Sequence, residues 1–305
     1  MPGPRVDEFV ISACSPGDAD RALQVLHGGL PRHERQAMIA SQRQWLQDEP
    51  TAGTGLYVAR GQGEICGAVL VQQQPGRTAI LWAPGSSPAD PAVEARLAQA
   101  ADKHLAARGP VLAQSLLADS SDPKIAVLEG IGFTRLTELE YLVAEARPAE
   151  TDGRPEPLTF EAYRPAERQR LARVVEATYI DTLDCPQLDG TRDIDDVITG
   201  YQATGEFDPE KWFFVVQDGQ DVGVVLLSEH SGASQWELVY MGLVPQARGR
   251  GLGQAMVEDA LHRAWTARVE SILLAVDTDN RHAVELYRRL GFRVWNRRVV
   301  YWKMY

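Results

Sequence analysis

The sequence predicts an α/β (α+β) protein made of two tandem copies of one domain, each a mixed, mostly antiparallel sheet flanked by helices. Three observations carry this expectation. β-rich runs alternate with helical periods along all 305 residues. The order of those segments occurs twice, in nearly constant register: Gly67 matches Gly223, and Gly132-Phe133 matches Gly291-Phe292. Between the copies lies ARPAETDGRPEP, residues 146–157, rich in proline and charge and without an apolar period. The expected division is a first domain at 1–147, a linker at 148–157 and a second domain at 158–305.

In the first copy, Phe9 to Ala13 reads as a strand, followed by the Pro16-Gly17-Asp18 turn and helical patterns over Asp20 to Leu26 and His33 to Gln47. Leu56 to Gln72 reads as a hairpin about a glycine turn. A strand around Thr78 to Trp82, an alanine-rich helix from Ala92 to Arg108, a strand from Val111 to Leu117, a short helix at Ile125 to Glu129 and a strand from Leu139 to Val143 complete it. The second copy gives a strand at Leu158 to Ala162, helices at Ala166 to Tyr179 and Asp193 to Ala203, and a hairpin at Trp212 to Ser228. The strand Trp236 to Val244, a helix through Ala267, a strand at Ser271 to Val276, a helix at Asn280 to Leu290 and closing strands over Phe292 to Tyr305 follow.

Composition narrows the class. The apolar fraction is 44% and the charged fraction 24%, ordinary for a globular chain with real cores. A net charge of −11 argues against nucleic acid as a partner, which calls for a basic stripe. No apolar run is long enough for a membrane span, and MPGPRVDEFV lacks the apolar core of a secretion signal. Cys14, Cys66 and Cys185 are too far apart for a metal motif or a disulfide framework, so a reduced cytoplasm, no metal and no membrane are expected.

The chemistry concentrates in WELVYMGLVPQARGRGLG, Trp236 to Gly253: apolar strand, glycine-rich turn, helix start. Glycines let backbone N–H groups converge, and a new helix adds unpaired N–H groups at its positive end, so the turn is a diphosphate cradle. It lacks the Gly-Lys-Ser/Thr of a Walker loop and the Gly-x-Gly-x-x-Gly spacing of a dinucleotide fold. Arg248-x-x-Gly251-x-Gly253 after the strand, together with Asp277-Thr278-Asp279-Asn280, Leu286-Tyr287 and Leu290-Gly291-Phe292, resembles the two-part signature of the GNAT superfamily of N-acetyltransferases.

That resemblance implies acetyl-CoA as co-substrate and direct attack of a primary amine on the thioester. The backbone of Met241, Gly242, Leu243 and Val244 would meet the pantetheine arm. The turn Arg248, Gly249, Arg250, Gly251, Leu252 and Gly253 would hold the diphosphate, and Asn280 would also touch the coenzyme. Tyr287 matches the family's general acid beside the sulfur, and Glu237 its strand glutamate acting as base, with Tyr240 and Glu229 in reserve. Strict alternation would put Glu237, Val239 and Met241 on one face and Trp236, Leu238 and Tyr240 on the other. Each residue also has a plainer reading: Tyr287 as a helix anchor, Glu237 as an exposed carboxylate, Asn280 as an N-cap.

The acceptor loop in this family lies between the first two helices, here Tyr179 to Arg192. Its carboxylates Asp181 and Asp184 are candidates for a cationic amine, though such runs are more often solvated turns. Cys185 reads as a structural or pocket-lining thiol. A small-molecule amine is the expected partner of a monomer or homodimer; a peptide amino terminus is the alternative, and a coenzyme-binding regulator or scaffold without turnover the non-enzymatic one. The first copy should be silent: around Ala89 to Ala95 it offers Asp90, Pro91 and Glu94 in place of the glycines, and Leu128 where Tyr287 stands in the second.

Overall fold

The computed structural model describes residues 9–48, 55–148, 158–230, 232 and 234–305. The expected linker, apart from Pro148, lies outside the described residues. In chain order the elements are β1 (Phe9–Ala13), α1 (Ala19–Leu26), α2 (Arg32–Asp48), β2 (Leu56–Gly61), β3 (Glu64–Gln74), β4 (Thr78–Ser86), α3 (Pro91–Arg108), β5 (Leu112–Leu117), α4 (Lys124–Glu129) and β6 (Thr134–Glu145). Then come β7 (Thr159–Ala162), α5 (Arg168–Tyr179), α6 (Ile194–Gln202), β8 (Trp212–Gln217), β9 (Gln220–His230), β10 (Gln235–Leu243), α7 (Leu252–Thr266), β11 (Ser271–Asp277), α8 (Arg281–Arg289) and β12 (Arg293–Met304).

Two compact units result, but not the contiguous pair that the repeat suggests. One runs to Leu136 and takes in Val299–Tyr305; the other is Thr137–Arg298. The sheet of the first follows the order β1-β2-β3-β4-β5, and Val299–Met304 of β12 lies antiparallel on β5. The sheet of the second follows β7-β8-β9-β10-β11, and β6 lies antiparallel on β11 from Ser271↔Glu145 to Asp277↔Leu139. Each sheet is thus finished by a strand from the other half of the sequence. The repeat placed the elements; it did not show which partner each last strand chooses, because both are equally good apolar strands. The closing strands expected over Phe292 to Tyr305 are one long strand, divided between the units.

Sequence pattern explains the layers of the second unit. β8 reads WFFVVQ and is buried at every position, as expected of a central strand covered on both faces. On one side, α7 turns Leu252, Met256, Val257, Ala260, Leu261 and Ala264 inward in a single helical stripe against Trp236, Leu238, Ile272 and Leu274. On the other, Leu171, Val174 and Val175 of α5 pack with Trp212, Phe214, Val224 and Leu226. Burying a side chain of this size contributes roughly 1.5–3 kcal/mol, so these two layers outweigh any single polar contact described below.

The strand β10 departs from strict alternation. Its register against β9 slips between Leu238 and Tyr240, a bulge at Val239. Met241 and Leu243 therefore join Trp236 and Leu238 on the α7 face, while Tyr240 turns to the α5 face. Glu237 shares a face with Tyr240 rather than with Met241, because one extra residue inverts the pattern beyond it.

Candidate active site

β10 and β11 run parallel only from Gln235↔Ser271 to Glu237↔Leu273. Beyond that the two strands part, and the opening becomes a cleft of about 750 Å³ lined by Leu238 to Leu243, Leu274 to Val276, the glycine-rich turn and one face of α8. That size is in the range of small-molecule sites. Met241, Gly242, Leu243, Arg248, Gly249, Gly251, Leu252, Gly253, Asn280 and Tyr287 all line it, with Asp181 and Asp184 at the loop side. Val244 and Arg250 lie beside that lining, Arg250 exposed.

The turn is built to bring backbone close. Gly249 and Gly251 have φ of 74° and 78°, a region that glycine enters without penalty. Gly251 is the N-cap of α7 and offers no side chain to the helix. The first residues of α7, Leu252 and Gly253, consequently line the cleft with no capping side chain on their N–H groups. At Gly242 the reason for glycine is space: a Cβ would come within 2.7 Å of the Thr178 side chain and of the Tyr240 hydroxyl oxygen.

Arg248 is spent differently from expectation. Its Nε donates to the Leu243 carbonyl at 3.0 Å, Nη1 to the Asp181 carbonyl at 3.0 Å and Nη2 to the Thr178 carbonyl at 2.8 Å. The guanidinium ties the end of α5 and the acceptor loop to the cradle, and little of it is left to face an anion. Replacing Arg248 by Ala strands three carbonyls; we expect it to cost about 2 kcal/mol of stability as well as raising the KM for acetyl-CoA. A variant that weakens coenzyme binding at unchanged Tm would return Arg248 to the role of a phosphate ligand.

Tyr287 is buried in the α7–α8 core beside Phe292, ring centroids 5.4 Å apart, and lines the cleft. Burial, then the Asp184 charge, raises its phenol well above the ordinary range, so it stays protonated at neutral pH. Asn280 caps α8 through the Ala283 N–H at 3.3 Å while lining the cleft, so the plainer reading and the functional one coexist. Glu237 stands outside the lining; its Oε2 is 2.6 Å from His230 Nε2. Asp184 lines the cleft and is exposed to solvent along its length; the protein packed around its carboxyl, followed by the Asp277 charge, pushes that group up.

Residues 176–292 match the family model described as Acetyltransferase (GNAT) family. This stretch, less than half of the chain, is similar to a GNAT acetyltransferase domain. Among curated proteins, the mycothiol acetyltransferase of Streptomyces griseus is 35% identical over 101 residues, 33% of this chain and 32% of that protein. The mycothiol acetyltransferase of Mycolicibacterium gilvum is 31% identical over 188 residues, 58% of this chain and 59% of its own length. These matches thus span between about a third and three fifths of the relatives' lengths. The fold extends further. A GCN5-related N-acetyltransferase from Sphaerobacter thermophilus superposes with a TM-score of 0.70 at 19% identity, covering 98% of this chain and 96% of that one. A tandem GNAT protein from the clavulanic acid biosynthesis pathway gives 0.51 at 17% identity, covering 97% and 98%. The chain therefore has the fold of two GNAT-like units in tandem.

Some residues at or behind the cleft carry no signal in the sequence. Thr178 and His282 line the cleft, and Thr137 reaches Asp277 from β6. Thr137 lies in what the repeat assigns to the other domain, so nothing local points to it. No described helix is long and apolar enough to cross a membrane.

Proposed function

We propose that the second unit is a GNAT domain that transfers the acetyl group of acetyl-CoA to a primary amine of a small molecule. The observation that carries this is one cleft holding together an uncapped helix start, a parted strand pair and a buried tyrosine. The first suits a diphosphate, the second leaves strand backbone for an amide-bearing arm, and the third supplies a proton donor. Tyr287 gives its proton to the departing sulfur, and the Gly242 region orients the thioester.

A small acceptor fits better than a peptide terminus because the loop after α5 is tied down at two points, by Arg248 and by Asp277. The names of the curated relatives agree with this class of substrate. Turnover itself is tested by thiol release from acetyl-CoA over a screen of primary amines, which also separates an enzyme from a coenzyme-binding scaffold.

In the first unit the same elements are occupied from within. Asp90 caps α3 through the Ala92 N–H at 2.9 Å and the Val93 N–H at 3.4 Å, and Pro91 brings no N–H. Lys124 Nζ donates to the Ala83 carbonyl of β4 at 3.3 Å, and Leu128 is buried where α8 has its tyrosine. We read this unit as non-catalytic. Titrating coenzyme A into the whole chain should give one site; two sites would contradict the assignment. Separated halves are unsuitable for this, since each would lack a strand.

A further inference from the structure

The amine must shed a proton before its lone pair can attack, so a base has to stand on the acceptor side of the cleft. Glu237 is outside the lining and held by His230. We infer that Asp184 takes the proton of the acceptor ammonium, with Asp277 and Thr137 as positioning residues that hold its loop in place. This deepens the acetyl-transfer reading and rests on it.

The loop between α5 and α6 is fastened to β11 by a reciprocal pair. Cys185 N–H donates to Asp277 Oδ2 at 3.1 Å, and Asp277 N–H donates to Asp184 Oδ1 at 3.4 Å. Asp277 is only 2% exposed, and its Oδ1 accepts from Thr137 Oγ1 at 2.6 Å and from Asp279 N–H at 2.9 Å. Cys185 takes φ of 45°, a left-handed conformation that a residue with a Cβ holds only when its surroundings insist. The anchor is therefore specific, and it sets Asp184 at the same cleft that Tyr287 lines.

The surroundings suit a base. Asp184 is exposed enough to meet an acceptor and to exchange its proton with water, while the protein packed around its carboxyl raises that group above the ordinary carboxylate range. The groups facing it are Asp277 and Cys185 from the anchor, Tyr179 from α5, Tyr201 from α6, Tyr240 from β10 and Tyr287 from α8. Burial raises the thiol and all four phenols, so these five stay neutral while Asp184 changes charge.

The step balances. The ammonium gives one proton to the Asp184 carboxylate. The freed nitrogen forms a bond to the thioester carbonyl carbon, the C–S bond breaks, and sulfur takes the Tyr287 proton. The second proton lost by nitrogen restores Tyr287, and Asp184 releases its own to water. One amide, one thiol and one proton are the products.

The test uses the whole chain, acetyl-CoA and glucosamine, tyramine and putrescine as probe amines, reading thiol release against pH. For the amine turned over, Asp184→Asn should lower kcat/KM about 100-fold at neutral pH and lose the acid limb of the profile, with coenzyme A affinity unchanged. Asp184→Glu should recover part of the rate, and Thr137→Val should displace the acid limb. Glu237→Gln should keep that limb. Linkage gives a second readout. A carboxyl raised by folding stabilises while protonated and loses that contribution as pH climbs through its folded value, so Asp184→Asn should melt no lower than the wild type at about pH 8. Asp184→Asn with kcat/KM within about threefold of wild type and an intact acid limb would overturn the inference while leaving acetyl transfer standing. A wild type that acetylates no primary amine sinks the reading beneath it.

Discussion

Tyr287→Phe should cost roughly 100-fold or more in kcat while leaving the Kd for coenzyme A where it was. The reasoning is steric as much as chemical. The ring sits in the apolar core with Phe292, Met256 and Leu290, and phenylalanine fills the same space. Only the hydroxyl is removed, so folding and coenzyme binding should persist. Because burial holds the phenol protonated beyond its usual titration near ~10, the wild-type rate should show no alkaline fall from this group below that pH. Steady-state thiol release with isothermal titration of coenzyme A checks both parts. A kcat unchanged in the variant would reduce Tyr287 to an anchor for α8.

The second large effect is expected at the cradle. Gly251→Asp puts a carboxylate at the uncapped start of α7, the device by which Asp90 already fills the start of α3. A unit charge about 4 Å from a phosphate opposes it by about 4 kcal/mol at an effective dielectric near 20. A side chain at the left-handed φ of 78° adds about 1–2 kcal/mol of strain to the fold. Coenzyme A affinity should therefore drop at least ~100-fold, and Gly251→Ala, which brings the strain without the charge, should drop much less. Equal losses in the two variants would mean that backbone shape, not electrostatics, governs the site.

What could be read from the residues, and what could not, divides along a physical line. Elements with strong periods emerged at nearly their observed limits: α7, α8, β8 and α3 all carry apolar stripes or runs and end in glycine, proline or a capping side chain. The cleft residues from Met241 to Gly253 were legible because glycines at alternate positions after an apolar strand demand a tight backbone turn. Three features were not. The bulge at Val239 has no residue signature, since valine is a good strand former, and it alone put Met241 and Glu237 on opposite faces. The commitment of Arg248 to three carbonyls depends on where the end of α5 arrives, which is set by packing. The Thr137–Asp277 contact joins residues far apart in the chain, and the partner of β6 was a choice between two equivalent edges.

The seating of Val299–Met304 on β5 bears on how the polypeptide is made. Synthesis proceeds from the amino terminus, and domains ordinarily fold as they emerge. Here the earlier-made unit stays incomplete until Val299–Met304 has followed the second unit out of the ribosome, and until then β5 offers a bare edge to any passing strand. Of the two units, the one translated earlier is therefore the one completed later.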